Sequence, residues 1–202
     1  MSRITGQILA GLALVWAGAG MAQAQAVVTA YSRIGDHCTE QASMDEPVVE
    51  IHCNGRGGWK IVVHASEHGA FMTYQHGDDP ASQPLYPPSL GLFGHFHNVL
   101  EWREILGSPF ATIHRYYHET PEEMSGRPDE TYQTLMVTAL RPNSADAACV
   151  VAFIDASGLS GANEVARDVA DRLSRGWDCA LEPIVFDADT PSVDAYLSRF
   201  GH

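Results

Sequence analysis

The sequence predicts an α+β fold with a mostly antiparallel sheet of hairpins, one clear helix after the last long strand, and a short C-terminal helix. Apolar, β-branched runs separated by short turn sequences dominate residues 39–154. Helical spacing of apolar residues appears only later, and strands followed by helices are typical of the α+β class. With 202 residues, of which 45% are hydrophobic, we expect residues 25–202 to form a single domain.

Residues 1–24 have the pattern of an export signal. Arg3 supplies the positive start, residues 8–22 form an apolar run, and residues 22–24 (Ala-Gln-Ala) fit the small-x-small cleavage rule. Cleavage after Ala26 is the alternative. A retained membrane anchor is disfavoured because the run is shorter than the ~20 residues that a span needs. We therefore expect a periplasmic or secreted protein that does not insert in the membrane after signal cleavage.

Four cysteines follow this signal and predict two disulfides. A hairpin with strands at 39–42 and 48–52 places Cys38 opposite Cys53, where Cβ atoms are about 4.5–5.5 Å apart. The strand that starts at Cys149 extends over roughly 20 Å. The helix after it returns about 20 Å and so brings Cys179 back to Cys149. A zinc site is disfavoured because no Cys-x-x-Cys spacing exists.

Three further hairpins are predicted from apolar runs that flank short turns. Their strands span residues 59–64 with 70–76, 98–106 with 110–118, and 131–140 with 147–154. The middle hairpin is expected to turn at Gly107-Ser108.

The clear helix is predicted over residues 162–175, where apolar side chains recur at helical spacing and charged ones occupy the other face. Ser160 or Asn163 is expected to cap its start and Gly176 to end it. A short second helix is expected to begin at residues 190–191 (Thr-Pro) and to run to about Arg199.

Two features of the sequence carry a family resemblance. One is the motif Leu100-Glu101-Trp102-Arg103 followed by Pro109-Phe110-Ala111-Thr112-Ile113, and the other is Asn163-Glu164-Val165-Ala166 set between Cys149 and Cys179. In these the chain resembles an uncharacterised family of small exported bacterial proteins over most of its mature length. The resemblance implies export and a common fold, and it implies no activity or functional residue.

Charge and motifs exclude several classes of function. The chain carries 12 Lys+Arg against 25 Asp+Glu, and a net charge of −13 repels nucleic-acid phosphates. Residues 158–161 (Gly-Leu-Ser-Gly) fall one residue short of the Gly-x-Ser-x-Gly nucleophile motif. Lys60 has no Ser three residues before it. An enzyme is therefore disfavoured, and a hydrolase would need catalytic residues dispersed along the chain.

The histidines suggest a metal site. His95 and His97 share one side of an extended segment, ~7 Å apart. If Leu106 faces Pro109 in the hairpin, His97 lies opposite His118 and Glu101 opposite His114, which would place all of these on one sheet face. His95, His97 and His118 would then bind zinc or copper, and apart from this site we expect no cofactor. The alternative is a scatter of ordinary histidines, because a one-residue slip in register reverses the faces of a strand.

The irregular segment Gly77 to Gly94 suggests a binding loop. It carries five apolar side chains among its prolines, namely Leu85, Tyr86, Leu90, Leu92 and Phe93, of which the last four are the predicted ligand contacts. Alternatively, the segment folds back over a sheet face and completes the core.

Three hypotheses for function follow from these patterns. The first is a non-catalytic periplasmic module that binds a protein or cell-envelope ligand through the loop at residues 77–94 and the adjoining sheet face. The second is a periplasmic zinc- or copper-binding protein that uses the histidine cluster. The third is a hydrolase without a recognisable motif.

Overall fold

A computed structural model describes residues 25–42, 47–67, 69–88, 93–119, 132–144 and 146–201. The export signal predicted at residues 1–24 lies outside these ranges. Strands account for 52% and helices for 15% of the described residues. No helix in these ranges is long and apolar enough to cross a bilayer.

The strands form two sheets. The six-stranded sheet has the order β1-β6-β7-β8-β9-β10, and the four-stranded sheet has the order β2-β3-β4-β5. All neighbouring strands are antiparallel except β9 and β10, which are parallel. The strands are β1 (Val27–Arg33), β2 (Thr39–Ala42), β3 (Val48–Asn54), β4 (Trp59–Ser66), β5 (Gly69–His76), β6 (Phe93–Ile105), β7 (Ser108–Glu119), β8 (Tyr132–Leu140), β9 (Ala148–Asp155) and β10 (Ile184–Phe186).

The six-stranded sheet is the middle layer, because each of its faces packs against a separate hydrophobic core. On its inner face, side chains such as Leu100, Trp102 and Met136 pack against Trp59 and Tyr74 of the four-stranded sheet. Its outer face packs against the helices. Strand β8 is covered on both faces, since every residue from 134 to 140 is buried. The sequence of a strand that is buried on both faces is mainly apolar instead of alternating.

The predicted α+β class is wrong. Over the described residues, the chain folds as a β-sandwich-like structure of two sheets with two minor helices. The predicted hairpins do form, but those of residues 39–76 pair only with one another, and β6 to β9 belong to the other sheet. The sequence pattern of a hairpin specifies the pairing of its own two strands. It carries no information on which hairpins join the same sheet.

The two helices, α1 (Ala162–Leu173) and α2 (Val193–Phe200), lie close to their predicted positions. Helix α1 is preceded by Gly161 in the left-handed region and has no side-chain cap, so the predicted caps Ser160 and Asn163 are wrong. A single 3₁₀ turn, Ser174–Gly176, extends it. Ser192 caps α2, because its hydroxyl accepts a hydrogen bond from the backbone N–H of Ala195.

Charged side chains of β6 bind helix α1. The guanidinium of Arg103, which is buried, donates two hydrogen bonds to Asp171, with lengths of 2.8 and 2.6 Å. Arg167 donates in the same way to Glu101, at 2.8 and 2.9 Å. Such bidentate pairs are strong and directional. Leu100 to Arg103 thus alternates between apolar residues on the inner face and ion-pairing residues on the outer face.

Both predicted disulfides are confirmed. Cys38 is bonded to Cys53 and Cys149 to Cys179, and no described cysteine is free. The first closes the β2-β3 hairpin, in which Thr39 pairs with His52 as predicted. The second ties β9 to the chain that follows α1.

We expect each disulfide to stabilise the fold. The bonded cysteines are 15 and 30 residues apart in sequence, so loop-closure entropy predicts a loss of about 3 kcal/mol in the free energy of unfolding for the double variant Cys38→Ala/Cys53→Ala. The loss for Cys149→Ala/Cys179→Ala should be somewhat larger. Urea unfolding followed by circular dichroism measures both. Non-reducing peptide mapping that finds Cys53 bonded to Cys149 would contradict the pairing.

Candidate functional site

A cleft of about 390 Å³ opens beside the β4-β5 hairpin, and side chains of both sheets line it. We call it the aromatic cleft. Its lining consists of Val48, His64, Ser66, Gly69, Ala70, Phe71, Tyr86, Pro87, Pro88, Tyr116 and His118. A concave, mainly apolar lining with a few polar groups is typical of ligand sites.

Three rings in contact, two of them stacked and the third tilted by 39°, form one wall of the aromatic cleft. His64 of β4 pairs with Phe71 of β5, and their rings stack with centroids 4.3 Å apart and planes 9° from parallel. Phe71 in turn contacts the ring of Tyr86, at 5.0 Å. Tyr86 is 60% exposed, so the end of the stack faces solvent. The wall therefore presents flat aromatic surface to a ligand.

The segment predicted to be a binding loop is divided between core and cleft. Leu85 is buried in the inter-sheet core and forms a backbone bridge with Met72, whereas the next residue, Tyr86, lines the cleft. Leu90 and Leu92 lie outside the described residues, and Phe93 is the first residue of β6. Leu85 thus completes the core, as the second alternative predicted, whereas ligand binding through Tyr86 stays a prediction.

The floor of the cleft comes from the inner face of β7. The ring of Tyr116 contacts that of His118 at 4.9 Å, and Nε2 of His118 forms a 3.0 Å hydrogen bond with Oγ1 of Thr134. Gly94 allows Tyr116 to sit close to β6, because a Cβ at that position would lie 2.5 Å from Cε1 of the tyrosine. The floor is thus held by packing and by polar contacts, which include a hydrogen bond between Tyr116 and the backbone of Ala70.

The lining is uncharged near neutral pH. It contains no Asp, Glu, Lys or Arg among the described residues. Burial lowers the pKa of His64, with Glu50 opposing the shift, and burial lowers the pKa of His118. It also raises the pKa of Tyr116. Loss of water disfavours the ionised form of each group. The cleft therefore suits a neutral, apolar or aromatic group.

One part of the cleft resembles a catalytic arrangement, but it is incomplete. Oε1 of Glu50 lies 3.3 Å from Nδ1 of His64, which is how a carboxylate orients a catalytic imidazole. Ser66 lies on the same face of β4, yet its hydroxyl donates to the carbonyl of Gly69 at 3.1 Å. The other oxygen of Glu50 binds His52, at 2.9 Å. The geometry is that of a polar cross-strand network.

The register predicted for the β6-β7 hairpin is wrong. Leu106 and Gly107, both with positive φ, form the two-residue turn, so Ile105 pairs with Ser108. Bulges follow, and His118 pairs with Gly94 instead of His97.

This register separates the histidines that were predicted to bind metal. His95 pairs with Tyr117, and the rings of both His95 and His97 contact Tyr117. His118 is on the opposite, inner face. Glu101 pairs with Ile113, not with His114. Within the described ranges, no group of three or more His, Cys, Asp or Glu side chains is arranged to hold a metal ion.

His114 is a core residue. Its Nε2 donates a 2.6 Å hydrogen bond to the carbonyl of His97, and its ring stacks on Phe96. Nδ1 is buried and has no hydrogen-bond partner among the described residues. Protonation would place a charge where nothing accepts the new N–H, and burial accordingly lowers the pKa of His114 from 6.5 to about 4.

In comparisons with known proteins, the chain matches no family model, no curated protein and no solved structure. The function has to be argued from the cleft itself.

Tyr86 is the single cleft residue that the sequence predicted for the binding loop, and His118 was predicted only as a metal ligand. His64 and Phe71 could have been found as well, since a turn at residues 67–68 in the predicted hairpin places them opposite each other. Tyr116 and His118 line the cleft because the two sheets pack together. No local pattern in the sequence predicts which residues of the two sheets meet.

Acid should destabilise the fold through His114. Its pKa is lower in the folded chain than in the unfolded one, so only the unfolded chain takes up this proton as the pH falls from 6.5 towards 4. The free energy of unfolding should fall by about 2–3 kcal/mol between pH 7 and 4.5 from this group. Urea titrations at both pH values test this.

The variant His114→Phe should lose that part of the pH dependence, whereas His95→Phe, at an exposed position, should keep the wild-type dependence. An unchanged pH dependence in His114→Phe would contradict the assignment.

Proposed function

We propose that this chain is a non-catalytic binding module and that the aromatic cleft is its ligand site. The contacting rings of His64, Phe71 and Tyr86 carry the proposal, because they leave aromatic surface exposed at the mouth of a concave cleft. An exposed ring that packs on a second ring costs little ordering entropy on binding. Aromatic anchors in pockets dominate binding energy in many complexes.

The chemistry of the lining supports binding over catalysis. The side chains are held by packing and by hydrogen bonds to the protein itself, including the contacts of Ser66 and His118. The lining offers apolar surface with few polar groups, a composition that favours an apolar or aromatic group of the ligand.

The proposed function includes a location in the bacterial periplasm. Two disulfides are typical of oxidising compartments, and a signal at residues 1–24 would direct the chain to a bacterial periplasm. The partner is then a protein or a cell-envelope component. Membership of an exported family, suggested by the motif at residues 100–103, is consistent with this placement.

An uncharged fluorophore tests the site. Nile red should bind the wild-type protein with a blue-shifted, enhanced emission. Removal of one aromatic contact costs about 1 kcal/mol, so Phe71→Ala and Tyr86→Ala should each weaken its affinity about fivefold. Fluorescence titration measures the affinity, and imidazole NMR signals of His64 and His118 should shift as the dye binds.

Phe200→Ala is the matched control, because Phe200 is an aromatic residue of similar exposure that lies on α2, away from the cleft. It should bind the dye like the wild type. Equal loss of affinity in the control, or no effect of the two cleft substitutions, would refute the assignment of the cleft.

A further inference from the structure

We propose that the aromatic cleft continues into a second cleft, and that the two together bind an extended, basic peptide segment of a partner protein. The peptide would place an apolar or aromatic side chain in the aromatic cleft and a lysine or arginine in the second one. This inference rests on the proposed function and adds the chemical class of the ligand.

The second cleft, of about 350 Å³, lies where β8 begins and where β9 and β10 end. We call it the acidic cleft. Its lining consists of Pro88, Tyr132, Gln133, Thr134, Phe153, Asp155, Val185 and Asp187. Phe153 packs against the inter-sheet core, and Val185 pairs with it across the parallel β9-β10 contact. The acidic cleft is therefore a part of the inner sheet face that the four-stranded sheet leaves uncovered.

The two clefts are neighbours. Pro88 lines both of them. Their floors meet where His118, of the aromatic cleft, bonds to Thr134, of the acidic cleft, at 3.0 Å. A ligand that passes Pro88 can thus contact both clefts without leaving the protein surface.

Charge complementarity selects a cationic ligand group. The acidic cleft holds two carboxylates, and among the described residues no lysine or arginine lines either cleft. Asp155 accepts hydrogen bonds from the backbone N–H groups of Ser157 and Gly158, and Asp187 accepts from those of Asp189 and Thr190. These bonds hold both carboxylates in place. The chain as a whole has a net charge of −13, which attracts basic partners.

Exposed apolar surface along the same path favours a macromolecular ligand. Tyr86, Tyr132 and Val185 are 60, 55 and 57% exposed, and all three line these clefts. Contiguous exposed apolar surface marks interaction sites.

The span of the path sets the length of the peptide. From β7, which supplies the floor of the aromatic cleft, to β10, the path crosses three strand spacings of about 4.8 Å, or roughly 14 Å. An extended peptide covers that distance in four or five residues at ~3.3 Å each.

Synthetic peptides test the proposal by calorimetry. The probes are acetylated, amidated Trp-Pro-Ala-Pro-Lys, its reversed sequence, and versions of both with norleucine or glutamate in place of lysine. The better lysine peptide should bind about tenfold tighter than its norleucine counterpart at low salt, and the glutamate version should bind more weakly still. The difference should shrink as salt is raised, since exposed charges are screened.

Conservative variants locate the effect. Asp155→Asn and Asp187→Asn keep an acceptor oxygen for the turn, and each should remove most of the preference for lysine while leaving Nile red affinity unchanged. Asp178→Asn is the matched control, because Asp178 accepts a similar backbone hydrogen bond, from Ala180, and lies outside both clefts. It should retain the preference.

Equal affinity for the lysine and norleucine peptides would overturn the inference, and so would an equal loss of preference in Asp178→Asn. If dye binding still depends on Phe71 in that case, the proposed function stands without the acidic cleft. If the preference for lysine and the dependence of dye binding on Phe71 are both absent, the inference and the proposed function are both refuted. Tighter binding to vesicles of anionic lipid than to the lysine peptide, or concentration-dependent dimerisation that the Asp187→Asn change disrupts, would also overturn it in favour of a membrane or a second copy.

Discussion

Burial of both faces of the six-stranded sheet is the constraint on which the rest of the structure depends. The helices cover its outer face, with ion pairs from Glu101 and Arg103 holding α1 in place, and the four-stranded sheet covers its inner face. Six strands face four, however, so the inner face is not fully covered. The uncovered part, near β10, is where apolar side chains such as Val185 remain exposed.

The aromatic cleft follows from the same mismatch. One wall is made within a hairpin, where pairing of β4 with β5 stacks His64 on Phe71. The floor belongs to the other sheet, where Tyr116 and His118 face inwards from β7. The cleft therefore exists only when the sheets pack in their present arrangement, so its shape depends on the core residues that set the distance between them.

The sequence predicted local structure well and the assembly poorly. Disulfide partners, the hairpins and helix α1 depend on spacing within a few tens of residues, which patterns such as that from Cys149 to Cys179 reveal. Strands β1 and β10 and the division into two sheets depend on contacts between distant segments. The predicted histidine cluster was wrong because the β6-β7 hairpin turns at Leu106 and Gly107 and contains bulges. The alternation of apolar and polar residues does not determine that pairing register. Tyr86 was predicted as one of several apolar residues in an irregular segment, and the structure places it in the lining of the aromatic cleft.

The order of the cysteines has a consequence for biogenesis. Each disulfide joins consecutive cysteines, first with second and third with fourth, so neither loop encloses a cysteine of the other pair. A chain that emerges from a translocation pore with its N-terminus first can oxidise each pair as soon as both members have left the pore. Short loops close at low entropic cost. On the proposed route of export, native pairing would coincide with the order of emergence, and maturation would require no rearrangement of earlier bonds.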